Sequence, residues 1–329
     1  MKDLATLGES VDRLITVDVA GRGVVHSLYN QVKKLALGSL TLKAAHELFT
    51  TIRKGDTVII TTGFLIPPTM IPETDGPIGA MILSKVLSLA FGVKSVIIAE
   101  EEVFKLIIAL AKILNLNAEK IKASSNLGEL NLFSFPLEDG AAKDYSKKTI
   151  EEFNPSAIIA VEKVGRNRFG VYHNMHGIDV SERTIKVDYL FQEAVRKRIL
   201  TLGVGDGGNE IGMGVIEETV RKHVNFGEIC NCPCKSGISC MTKTDQLIIS
   251  SVSNWGVYGI VACLSGILEK KELLHSGKIE KALLTEAKYR GAVDGVTGKI
   301  ASSVDGLSSN IHFHVVELLR ETVLHSIFS

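Results

Sequence analysis

A charge excess of either sign is missing from this chain: Lys+Arg and Asp+Glu both number 37 in 329 residues. No net field therefore draws it to nucleic acid or to an anionic membrane, and small molecules are the expected partners. Long apolar runs are also missing, so no stretch is expected to span a bilayer. The opening Met1-Lys-Asp-Leu-Ala-Thr-Leu-Gly-Glu carries acids early and lacks a continuous apolar segment, so no secretory signal is expected. Cysteine is scarce and odd in number, five in all, with four between Cys230 and Cys240. That pattern does not suit an extracellular disulfide framework, and a cytoplasmic setting is the expectation. Repeats and low-complexity linkers are absent. With 45% hydrophobic and 22% charged residues, residues 1–329 are read as one large α/β domain with no internal boundary.

What is present alternates between strand-like and helix-like patterns. Val24, Val25, Leu28, Val32 and Leu35 recur at helical spacing, as do Leu42, Ala45, Leu48 and Phe49, giving two helices between Leu14 and Ile52. Thr57-Val-Ile-Ile-Thr-Thr is a β-branched run closed by Gly63. A proline-rich loop follows, then a helix over 78–91, a strand over 95–99 and a helix over 101–114. Strands are predicted over 130–135, 157–161, 199–202 and 247–252, with a helix over 145–153. Helices over 255–268, 279–289 and 311–324 complete the pattern. The alternation predicts a doubly wound, mostly parallel sheet with helices on both faces, Rossmann-like in outline, with helical additions at the N- and C-terminal ends.

The densest polar stretch is Gly203-Val-Gly-Asp-Gly-Gly-Asn-Glu-Ile-Gly-Met-Gly, read as strand end, turn and a helix running from Asn209 to His223. Its glycines and helix start form an anion-binding corner, yet Asp206 and Glu210 sit in it. A carboxylate there repels phosphate, so a metal ion, an ammonium group or a water to be activated fits better. The same stretch formally contains the dinucleotide fingerprint Gly203-x-Gly205-x-x-Gly208, but a lone match is weak and Asp206 occupies the phosphate turn. Thr61-Thr through Pro72-Glu-Thr-Asp-Gly-Pro leaves a strand and enters a helix. Asp75 suits the N-cap and Pro77 the first helical position, whereas Glu73 has no capping role to explain it. In the stretch from Ala160 onward, Glu162 ends an apolar run, and Arg166, Asn167 and Arg168 follow in a loop suited to clamping a carboxylate. His173 and His176 resemble a metal pair only loosely, and ordinary loop hydrogen bonds explain them.

Cys230-Asn-Cys-Pro-Cys-Lys-Ser-Gly-Ile-Ser-Cys240 does not reproduce the paired spacing of structural zinc sites. Reduced, partly buried thiols are expected, with no histidine near enough to activate one and no part in the chemistry. In Ser253-Asn-Trp-Gly, core packing explains Trp255, while Asn254 at a strand end is a cleft candidate.

Taken together, Thr61-Thr-Gly-Phe, Pro72-Glu-Thr-Asp-Gly-Pro-Ile-Gly-Ala, Glu162-Lys-Val-Gly-Arg-Asn, Gly205-Asp-Gly-Gly-Asn-Glu-Ile-Gly-Met-Gly and Ser253-Asn-Trp-Gly resemble the C-terminal domain of D-glutamate cyclases, from about Gly21 to the end. The resemblance implies a lyase that closes D-glutamate to 5-oxo-D-proline with loss of water, aided by a divalent metal such as manganese. In the animal form of the family this domain is joined to a large N-terminal partner domain with no counterpart here, which leaves room for a different substrate.

The roles that follow are our own reading of the motifs. Asp206 and Glu210, with Asp75, are expected to hold Mn2+ or Mg2+ through oxygen ligands, and Glu162 to act as base. Arg166 is expected to hold the α-carboxylate, and the amides of Gly207 and Gly208 to stabilise the departing oxygen. Thr61, Thr62, Glu73, Gly76, Asn167, Asn209 and Asn254 complete the substrate-binding candidates. All the acids are expected to meet at the carboxyl ends of the strands. A binding protein for a small metabolite or nucleotide and, further off, an NAD(P)-dependent oxidoreductase are the competing readings. A homo-oligomer is left open.

Overall fold

The computed structural model describes residues 3–121 and 127–328. In chain order the first half comprises α1 (Leu4–Ile15), α2 (Val25–Ala36), α3 (Leu40–Thr51), β1 (Thr57–Thr62), β2 (Leu65–Ile66), β3 (Ile71–Pro72), α4 (Pro77–Phe91), β4 (Lys94–Ile98), α5 (Glu101–Ile113), β5 (Ala118–Lys120), β6 (Leu130–Phe133) and α6 (Asp139–Phe153). The second half comprises β7 (Ala157–Val161), α7 (Asp188–Lys197), β8 (Leu200–Gly205), α8 (Glu217–His223), β9 (Gln246–Ile249), α9 (Ser253–Leu268), α10 (Gly277–Tyr289), β10 (Ser303–Val304), β11 (Leu307–Ser308) and α11 (Ser309–Val323).

Seven strands form one sheet in the order β5-β6-β4-β1-β7-β8-β9, and every pairing in it is parallel. Successive residues of a strand face opposite sides, and both sides here are apolar. Val58 and Ile60 of β1 join Ile97, Ile159, Val161 and Val204 beneath α1, α3, α4, α5, α9 and α11. Ile59, between them, joins Val96, Ile98, Ile158 and Ala160 beneath α6 and α7. A sheet covered on both faces needs such continuous apolar strands. The central helix is α9, buried from Ser253 to Gly266. Its small residues permit this: a Cβ at Gly256 would stand 2.6 Å from Val204 Cγ1.

The chain builds outward from β1 to β4 and β6, then returns to β7 on the other side of β1. Strand direction of growth therefore reverses between β1 and β7, and a crevice opens there at the carboxyl ends, where doubly wound sheets bind ligands. Thr62 lies beside Val161, and Val161 beside Val204, so Glu162 and Asp206 leave the sheet side by side.

Several readings of the sequence need correction. A first helix, α1, precedes the two that were expected, and helix α7, the short edge strand β5 and the two-residue strands β2, β3, β10 and β11 were not anticipated. Gly203 and Gly205 belong to β8, and no helix starts at Asn209. Residues 209–213 instead make isolated bridges to Val164 and Lys243, followed by a 3-10 turn (Gly214–Ile216) and only then α8. Glycine is a poor helix former, and Gly212, at φ 108°, lies outside helical geometry.

Candidate active site

The crevice holds a cavity of ≈ 400 Å³ lined by Arg22, Phe64, Glu73, Glu162, Asp206, Asp305, by Asn174, Met175 and His176 on one wall, and by Gly295 to Gly298 on another. Asp75 and Glu210 stand directly behind the lining. Oxygens of Asp75, Asp206 and Asp305 lie within 4.8 Å of one another, as do those of Glu162, Asp206 and Glu210. Asp206 is common to both groups.

Each carboxylate arrives there by a local device. Glu162 is the first residue beyond β7 and takes φ 46°, a left-handed conformation that costs a non-glycine residue energy and that clusters at functional sites. Its amide still bonds the Val204 carbonyl (3.1 Å), and its Oε2 accepts from Ser253 Oγ (2.5 Å). Glu210 folds back into the turn after β8, where its two oxygens accept from the amides of Asp206 (3.0 Å), Gly207 (2.6 Å) and Gly208 (2.6 Å). The glycines make room for that return: a Cβ at Gly205 would meet Glu210 Cδ at 3.0 Å, and one at Gly203 would meet the Ile211 carbonyl oxygen at 2.4 Å. The amide cradle that the sequence offered to a departing oxygen is thus filled by the chain's own carboxylate. The same filling removes the phosphate cradle that the dinucleotide fingerprint would need.

Asp75 is a cap, but not of its own helix. The residue before α4 is Gly76, at φ 89°, with no side-chain cap from within the segment. Asp75 instead accepts from the amides of Ser253 (2.8 Å) and Asn254 (2.8 Å) at the start of α9. Asn254 Oδ1 accepts in return from Gly76 (3.1 Å) and Gly79 (2.6 Å) at the start of α4. Two helix N-termini are therefore capped reciprocally across the fold. Asn254 spends its polar atoms there and on the Thr74 carbonyl, rather than in the cavity.

Burial, followed by the repulsion of Asp206, pushes Asp75 and Glu210 each up to about 7, against the lowering pull of their backbone amides. Burial and neighbouring acids raise Glu73, Glu162 and Asp305 well above the carboxylate range. The cation that answers this cluster is Arg22, whose Nη2 donates to Asp206 Oδ2 (2.7 Å) and the Ser251 carbonyl (2.5 Å), with Nη1 3.6 Å from Asp305. Asp206 first, then Asp305, holds the guanidinium further in its charged form. One oxygen of Glu73, Oε1, is buried without a hydrogen-bond partner among the described residues, a costly state unless a ligand answers it.

The remaining expected residues divide plainly. Asn209 lines the cavity, and its Nδ2 donates to the His173 carbonyl (2.7 Å). Gly207 and Gly208 sit beside the cavity with their amides already used. Thr61 and Thr62 are buried at the end of β1, their hydroxyls without partners among the described residues, but do not line the cavity. Arg166 does not reach it. Its guanidinium lies over the Tyr189 ring (4.4 Å) and 3.7 Å from Asp139, lining a separate surface depression with Arg168. Asn167 is a loop organiser, accepting from Phe169 and Val171 and donating to the Gly237 carbonyl.

Two charged residues of the cavity were missed. Arg22 stands between Gly21 and Gly23, both at positive φ, with Asp18 accepting from the Arg22 and Gly23 amides. That Gly-Arg-Gly is the only local signal. Asp305-Gly306 lies between Val304 and Leu307 as a two-residue hairpin turn, φ 52° and 78°. The sequence marks it as a turn but not as a cavity wall. The histidines also separate: His176 lines the cavity, while His173 faces the cysteines, its Nε2 3.1 Å from Cys232 Sγ. The expectation that no histidine lies near those thiols is therefore wrong, because the pairing spans 59 residues of sequence.

Comparison with known proteins identifies the family. The family described as D-glutamate cyclase-like, C-terminal, matches residues 11–320. A human protein described as D-glutamate cyclase, mitochondrial, is 29% identical over 342 residues, covering 94% of this chain and 50% of the human protein. The chain thus spans about half the length of that relative. Among the described residues, no helix is long and apolar enough to cross a membrane.

Proposed function

The chain belongs to the D-glutamate cyclase-like family, and from that premise we propose that it closes D-glutamate, or a closely related acidic amino acid, to 5-oxo-D-proline and water. One observation carries the reading beyond the family: acids with raised pKa values, Glu73, Glu162 and Asp305, line one small cavity with Arg22. In the reaction the amine nitrogen bonds to the side-chain carboxyl carbon and one carboxyl oxygen leaves. The ammonium gives up two protons in all, and the departing oxygen takes up two. Carboxyls raised by burial and by one another, Asp75 and Glu210 to about 7, are suited to that traffic. Glu162, held by Ser253 and exposed to the cavity, accepts the first proton and returns it to the leaving oxygen. Arg22, in place of Arg166, pairs with a substrate carboxylate through its outer face. Holding amine and carboxyl together supplies roughly 7–11 kcal/mol in the best intramolecular cases.

A divalent metal fits the residues present. The donor atoms are all carboxylate oxygens, they repel one another when ionised, and such a set suits Mn2+ or Mg2+ over softer ions. Asp206, with Asp75 and Asp305, would hold it. When bound, it supplies Lewis acidity to an otherwise unreactive carboxylate. The test is incubation of the purified chain with each glutamate enantiomer, with and without Mn2+, followed by chiral separation and mass detection. Dehydrated product from the D enantiomer supports the proposal. Saturable thermal stabilisation by D-glutamate with no product would make the chain a binder and overturn it.

A further inference from the structure

The loop from 224 to 245 is long and has no regular structure of its own, which is uncommon inside a compact body unless something else fixes it. What it does have is three thiols converging on one imidazole. Cys230 Sγ lies 3.5 Å from Cys232 Sγ and 3.4 Å from Cys234 Sγ. His173 Nε2 lies 3.1 Å from Cys232 Sγ and 3.7 Å from Cys234 Sγ. All four ligand atoms fall within 4.8 Å of one another. A tetrahedral zinc, with bonds of about 2.3 Å to sulfur and 2.0 Å to nitrogen, sets sulfur–sulfur edges of about 3.8 Å and sulfur–nitrogen edges of about 3.6 Å. The four edges given lie within about half an ångström of these, and the other two are no longer than 4.8 Å. His173, Cys230 and Cys232 are buried, and all five cysteines of the chain are free thiols.

The geometry points to a structural Cys3His metal site, built by His173, Cys230, Cys232 and Cys234 and suited to zinc. Three thiolates and an imidazole favour that ion over the hard cations fit for the cleft, and four protein ligands leave no open position for catalysis. Two donors also face the sulfurs: the Cys234 amide donates to Cys232 Sγ (3.4 Å), and Asn167 Nδ2 faces Cys234 Sγ (3.5 Å). The local spacing hid the site because its fourth ligand comes from the segment after β7.

The consequence reaches the cavity. The Gly177 carbonyl accepts from the amides of Asn231 (2.9 Å) and Cys232 (3.1 Å), and Asn231 Nδ2 donates to the His176 carbonyl (2.8 Å). The ion clips the cysteine loop to the segment whose Asn174, Met175 and His176 form the cavity wall. The inference stands whatever reaction the cavity performs.

The experiment is elemental analysis of the full chain, purified anaerobically and dialysed against EDTA. The expected result is about one zinc per chain, released by a mercurial that titrates thiols, retained in Asp206→Asn and lost in Cys232→Ser/Cys234→Ser. Should that double variant not fold, cobalt replacement in the unaltered chain decides: thiolate-to-cobalt charge-transfer absorption supports the site. Absence of stoichiometric zinc even after anaerobic reconstitution, or a cobalt spectrum without thiolate bands, overturns it.

Discussion

Glu162 and Lys163 are consecutive, both leave the end of β7, and their surroundings treat charge in opposite ways. The Lys163 ammonium, fully buried, is answered on every side: by both oxygens of Glu100 (2.6 and 2.5 Å) and by the Gly63 carbonyl (2.9 Å). Glu162 turns the other way and meets Asp206, Glu210, Asp75 and Glu73, all of its own sign. The first arrangement is architecture: the penalty of burying charge is offset by partners within the fold. The second leaves repulsion in place, and a fold keeps such a cluster where a ligand answers it. Asp12 extends the first class, accepting from Tyr29, Leu40 and Thr41.

Removing the carboxylate shared by both triplets should give the largest effect. Asp206→Asn is expected to lower turnover of D-glutamate on the order of 10³-fold or more, with a melting temperature close to that of the parent. A variant that unfolds, or one that keeps full rate, would move Asp206 into the architectural class. Next, Lys163→Met should behave in the reverse sense, costing about 3–5 kcal/mol of stability because Glu100 is left buried and unpaired. Urea denaturation measures it, and a loss below about 1 kcal/mol would erase the contrast drawn between the two residues. Third, Glu162→Gln should reduce the rate by about 10²-fold while leaving urea stability equal or higher, since it relieves repulsion. A loss of stability comparable to that of Lys163→Met would count against the distinction.

The smallest effect separates the regions by pH. In metal-free protein, Asp75 and Glu210, pushed up to about 7 by burial and by Asp206, keep protons that the unfolded chain releases near pH 4. Their contribution to stability is fully present below that value and is lost as pH rises through about 7. His312 runs the other way. Its Nδ1 accepts from Trp255 Nε1 (2.8 Å) and its Nε2 faces the Leu307 carbonyl (3.2 Å), and burial lowers its pKa below the usual 6.5. Its contribution is present above the unfolded value and is lost as pH falls below it. Urea midpoints across pH 4–8 should show Glu210→Gln flattening the fall toward high pH and leaving the acid limb unchanged. An altered acid limb would contradict the assignment.

Much of the fold was legible because it rests on local pattern. Ile59, Ile60, Val96 and Ile97 spell a strand covered on both faces, and the alternation with helical runs implies the parallel sheet. Glu162 and Asp206 were legible because each follows such a run, the first after β7 and the second after β8. What was hidden is whatever depends on distant partners. Arg166 has the better local setting for a carboxylate clamp, yet the arginine that lines the cavity is Arg22, 184 residues from Asp206. Asp75 reads as a cap from its neighbours, and is one, but for a helix 178 residues away. The cysteines looked badly spaced because a spacing rule sees only one segment of a cluster made from two.

The pairing of Arg22 with Asp206 and Asp305 also sets an order in time. During synthesis Arg22 emerges before Asp206, and Asp305 after both, whereas the final strand of the sheet is already complete at Ile249. A nascent chain released to that point already carries Glu73, Glu162 and Asp206, but not the hairpin that closes the far wall over them. The sheet and the pocket therefore reach completion at different moments on the ribosome, the pocket only once the Asp305-Gly306 turn has left the exit tunnel.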